Sequence, residues 1–169
     1  QLDKSDIKTN ADGSKTYSNR LKNAIESVKD LVNEYNETSD FLRENKSLGK
    51  GVQQLTTEFS DTTYKADSYA KMGITVDAKT GKMSVNESRL ARALTDSPAQ
   101  SEAILGKGGL AGRADRHAQY AQMARSRVIP SMEQAIGGQL DYAANMLNGR
   151  SLPTMQRYSN ILNLFSIYV

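Results

Sequence analysis

Three features of this chain carry residue types that do chemistry elsewhere: one histidine, one glycine-rich run and one cluster of arginines. His117 is the only histidine, and cysteine is absent. A metal centre or an activated nucleophile needs several such groups together, so His117 is read as a packed structural side chain, not a ligand or a base. The run GKGGLAG, Gly106 to Gly112, has the glycine density of a phosphate loop. It lacks the preceding strand and the Gly-Lys-Ser/Thr ending that let backbone amides and a lysine cradle phosphates, so it reads as a hinge between helices. Arg113, Arg116, Arg125 and Arg127 surround Tyr120. One aromatic among four cations is thin for base stacking, and a solvated face or a surface paired with an acidic neighbour is preferred to nucleic-acid binding. Glu26, Asp30, Glu34 and Glu37 recur at helical spacing and form an acidic stripe of the matching kind.

Composition points the same way. The 169 residues suit a single domain, with 38% hydrophobic residues, eight Tyr, three Phe and no Trp. Mean hydropathy is -0.59, which fits a thin helical core better than a broad enzyme core. The 22 basic and 19 acidic residues leave a net charge of +3, too small to imply nucleic acid. Without cysteine there is no disulfide framework or thiolate site. No stretch approaches the roughly 20 apolar residues of a membrane helix, so membrane insertion is not expected, and no cofactor is implied.

The elements that position these residues are mostly helices. Leu21, Ile25, Val28, Val32, Tyr35 and Leu42 fall at alternating steps of three and four from Ser18 onward, with Ser39 filling one place in the seam. After a turn at Leu48 to Gly51, a second seam runs through Val52, Leu55, Phe59, Thr62, Ala66 and Tyr69, predicting two antiparallel helices. Leu110, Ala114, His117, Ala121, Ala124 and Val128 form a third, ended or kinked by Pro130. Met132, Ala135, Ile136, Leu140, Ala143 and Leu147 resume the period across Gly137 and Gly138, and Pro153 starts a last helix. There Tyr158, Ile161, Leu162, Leu164, Phe165, Ile167 and Tyr168 spread apolar groups around more of the helix than one core face needs. Tyr158, Ile161, Leu162, Phe165 and Tyr168 are therefore the expected partner interface.

One segment breaks the helical rhythm. From Gly73 to Val85, Ile74 and Val76 alternate with Thr75, and Met83 and Val85 with Lys82 and Ser84. Asp77 to Gly81 supply a loop whose aspartate can bond its own backbone and whose glycine accepts positive φ. Asn86 then caps a helix with Leu90, Ala93 and Leu94 on its apolar side. Ser97, Pro98 and Gln100 predict another, with a capping box, running to Leu105.

In order and spacing these pieces resemble the C-terminal region of the hook-associated protein 2 family, the flagellar filament cap. The resemblance rests on VNEYNE from Val32 to Glu37, on Gly73, Ile74, Gly81, Lys82 and Met83 of the hairpin, on SRLARAL from Ser88 to Leu94, and on SPAQSEAIL from Ser97 to Leu105. Met83 replaces a more usual leucine, and Ile104 and Leu105 end the last segment without the expected phenylalanine. The resemblance implies a secreted, non-enzymatic structural protein that leaves through the flagellar type III apparatus. It implies a ring-like homo-oligomer at the filament tip that promotes flagellin polymerisation, with flagellin, hook-associated proteins and an export chaperone as partners. Other readings are a flagellin-like or hook-junction axial protein, and a helical nucleic-acid module using Arg113 to Arg127.

The expected fold is thus mainly α: an elongated helical bundle or coiled-coil stem with one small β-hairpin. Residues 1–17 are expected to be a polar linker or the stub of a removed domain, because the chain begins with Gln and is polar up to Tyr17. Residues 18–149 form the stem with its hairpin at 73–85, and 150–169 the C-terminal amphipathic helix.

Overall fold

The computed structural model of the chain describes residues 2–123. Helices predominate in it, with two small antiparallel strand pairs. The spine is α1, Asn19–Glu44, whose first turn is capped by Ser18 accepting from the Leu21 amide. Its buried residues include Leu21, Ile25, Val28, Val32, Tyr35 and Leu42, while Ser39 is only partly covered.

The second seam does not form one continuous helix. Helix α2, Lys50–Glu58, stops at Phe59, a 3-10 turn covers Asp61–Lys65, and α3, Ala66–Lys71, follows. The cause is the composition of residues 56–63, where Thr56, Thr57, Ser60, Asp61, Thr62 and Thr63 all carry short polar side chains that compete for backbone groups. Thr57 bonds the Gln53 carbonyl, and Ser60 bonds that of Thr57 at 2.7 Å. Val52, Leu55, Phe59, Thr62 and Tyr69 are still buried. The groove along α1 is filled by short elements in succession, with α2, the later helix α4, Glu87–Asp96, and a strand all packed on it.

The expected hairpin comprises β3, Ile74–Val76, and β4, Met83–Val85, with Ile74 opposite Val85 and Val76 opposite Met83. Asp77 Oδ1 accepts from the amides of Lys79 (3.0 Å) and Thr80 (2.6 Å), and Gly81 takes φ 69. Gly73, at φ 73, lies so close to α4 (Glu87–Asp96) that a Cβ there would stand 2.6 Å from that of Arg89. Asn86 caps α4, as its position suggests.

Two expectations need correction. Residues 7–17, expected within a polar linker or the stub of a removed domain, form a hairpin: β1, Ile7–Thr9, pairs with β2, Lys15–Tyr17, so the described residues hold two hairpins rather than the one expected. Their polarity hid this, because the anchor is a buried carboxylate. Asp6, only 2% exposed, accepts from the Ser18 hydroxyl, the Arg20 guanidinium and the Asp3 amide, binding the hairpin to the start of α1. Likewise, α5, Pro98–Leu105, begins with its proline but without a capping box. Ser97 makes no side-chain cap bond, and it is Ser101 whose hydroxyl reaches the carbonyls of Ala93 and Ser97.

The run at 106–112 is a tight turn into α6, Leu110–Met123. A Cβ at Gly109 would lie 2.0 Å from the Ile104 carbonyl oxygen, and one at Gly112 1.8 Å from that of Lys107. Those glycines serve backbone packing between α5 and α6.

Candidate functional site: two polar anchors on the helical spine

The consecutive residues Tyr35 and Asn36 of α1 point to different neighbours. The Asn36 amide donates to the Met83 carbonyl at 2.8 Å and accepts from the Met83 amide at 2.9 Å. Met83 thus finds on α1 the donor and acceptor that a third strand would have provided. One turn further, Asp40 pairs with Lys82 at 2.7 Å, and Arg43 reaches the Thr80 carbonyl. From the 3-10 turn, Thr62 bonds the Gly81 carbonyl at 2.9 Å. Side chains spaced along one helix therefore grip the second hairpin from strand to loop. Ile74 and Met83 are buried, Val76 is half-buried, and Gly81 lies at the loop's end.

Tyr35 faces the core and donates to Asp61 Oδ1 at 2.9 Å. Its ring centroid lies 5.1 Å from that of Phe59, and Phe59 lies 5.0 Å from His117. Arg113 bonds Asp61 Oδ2, while His117 Nε2 stands 3.4 Å from the same oxygen without closing a hydrogen bond. Burial pushes the Asp61 carboxyl up, but the His117 imidazole, the Tyr35 hydroxyl and the Arg113 guanidinium together outweigh it and hold the group below the usual carboxylate range. Burial and the neighbouring carboxylate push Tyr35 upward, keeping its hydroxyl a donor.

The single histidine thus packs among two aromatic rings beside a carboxylate. That carboxylate is already committed to an arginine and a tyrosine, which makes it a structural counter-ion and not a base facing a substrate. Arg113 is withdrawn from the basic face, whereas Arg116 is exposed; Arg125 and Arg127 lie outside the described residues. Of the acidic stripe, Glu26 and Glu37 are exposed and Glu26 pairs with Lys29 at 3.7 Å. Among the described residues no group of three or more His, Asp or Glu is placed to hold a metal, and no helix is long and apolar enough to cross a membrane.

The expected seam residues Leu21, Ile25, Val28, Val32, Tyr35, Val52, Leu55 and Phe59 are all buried in one core. The expected interface residues Tyr158, Ile161, Leu162, Phe165 and Tyr168 lie outside the described residues. Sequence reasoning missed Asp6 and Asp61, and saw Asn36 only as part of a motif. A signal existed for Asp61 alone: it stands between Ser60 and Thr62 in a hydroxyl-rich stretch that interrupts an apolar period.

The described residues form a helical scaffold in which these polar groups hold its own elements together. The family model for the flagellar hook-associated protein 2 C-terminus matches residues 15–161, and the chain belongs to that family. That family is the flagellar filament cap, a structural, extracellular component of the flagellum exported by the type III system. The match begins within β2 and takes in both polar anchors. No curated protein and no solved structure matches the chain.

Proposed function

We propose that this region is the helical stem through which a filament cap assembles with itself, as a ring-like oligomer at the filament tip, and promotes the polymerisation of flagellin. The observation that carries this reading is the family match over residues 15–161, on a core that commits the seams of α1 and α2 to rigid internal packing. Flagellin, hook-associated proteins and an export chaperone are its partners in that role. The stem acts mechanically: it holds its shape while the apolar residues Tyr158, Ile161, Leu162, Phe165 and Tyr168 dock against neighbouring subunits or flagellin. Burying five such side chains contributes on the order of 10 kcal/mol before association and ordering costs.

Sedimentation of the whole protein and of a form truncated after Gly149 tests this. Oligomers that weaken or vanish on truncation support it, and an unchanged distribution of species removes residues 150–169 from the assembly role.

A further inference from the structure

Helix α6 is attached at two places of different character. Its first turn is apolar, with Leu110, Ala111 and Ala114 fully buried. Arg113 and His117, one turn apart, then converge on the Asp61 carboxylate, which Tyr35 holds from the opposite side at 2.9 Å. Of the residues from 116 to 120, Ala118 and Tyr120 are half-buried against the core, and Arg116 and Gln119 are exposed. The carboxylate is faced by Tyr35 from α1, by Tyr69 from α3, and by Arg113 and His117 from α6.

We propose that Asp61 is a charge-operated latch that holds α6 against the spine, and that neutralising it frees α6 from Arg113 onward while the Leu110 to Ala114 turn stays seated as a pivot. The physical reason is asymmetry. With Asp61 ionised, the half-buried guanidinium is paired; with Asp61 neutral, Arg113 keeps its charge and must leave for water to be solvated. Tyr35 is uncharged, can still donate to the oxygen of a neutral Asp61, and remains in the core.

Hydrogen exchange followed by mass spectrometry on the whole chain tests the latch, with rates corrected for intrinsic pH dependence. In the wild type, taking pH from 7 to 3 is expected to lower protection of 113–123 by about tenfold or more, the effect of losing one charge-assisted contact of ordinary strength, while α1 changes far less. Asp61→Asn should show that loss already at pH 7. Equal loss in α1 and α6, or an α6 indifferent to both pH and substitution, overturns the proposal. If the variant does not fold, the wild-type pH series decides alone.

Discussion

Replacing Asn36 by alanine removes both bonds to Met83, leaving a strand amide and a strand carbonyl without their partner beside a side chain only 4% exposed. Each buried group orphaned in this way costs about 1–3 kcal/mol, and partial access of water at the strand's edge puts the pair at about 2–4 kcal/mol. Native domains are stable by only about 5–15 kcal/mol, so the loss is a large share of the total. Urea unfolding followed by circular dichroism should place the Asn36→Ala midpoint about 1–2 M below the wild type, for a slope of about 2 kcal/mol per M. Asn36→Asp should be no better: it keeps an acceptor for the Met83 amide but sets a carboxylate against the Met83 carbonyl. Asn33, exposed on the same helix, supplies the control, and Asn33→Ala should stay within about 0.5 kcal/mol. A midpoint for Asn36→Ala that coincides with the control would refute the claim that α1 stands in for a missing strand.

Acid should destabilise the fold through Asp6. Burial pushes this carboxyl up, yet Ser18, the Asp3 amide and Arg20 hold it below its ordinary value. A depressed folded-state value means that its contribution is complete above about pH 4–5 and fades as pH falls through that lower value. Thermal unfolding across pH 7 to 2 should show a flat upper range and an acid decline, with Asp6→Asn less stable at neutral pH and its decline shallower; parallel curves would contradict this. Gly109→Ala should cost several kcal/mol, since its Cβ would sit 2.0 Å from a backbone oxygen, whereas Gly108→Ala meets nothing within 4 Å and should be close to neutral. Equal melting temperatures for the two would show that the turn relaxes freely. Lys29→Ala should leave the unfolding midpoint close to that of the wild type, because its 2.6 Å bridge to Glu87 is solvent-exposed; a clear drop in a denaturant melt would contradict that.

What could be read from the sequence was local. The second hairpin announces itself because its turn chemistry, from Asp77 to Gly81, lies within a few residues, and the α1 seam because its period repeats for several turns. What was hidden depends on residues far apart. Asp61 meets Tyr35 and Arg113 across separations of 26 and 52 residues, and Asn36 meets Met83 across 47, so no periodicity marks them. The break after α2 is intermediate: its hydroxyl-rich run is visible, but the apolar period continues through it and suggests an unbroken helix. The first hairpin was missed because a buried Asp6 is counted as polar surface by any pattern that sorts residues by type.

The assembly claim is tested most directly in cells of the source bacterium whose only copy of this protein ends after Gly149. Electron microscopy and assay of the medium should find short or absent filaments and flagellin released unpolymerised, reversed by the whole protein. Filaments of normal length, with no flagellin lost, would contradict the account.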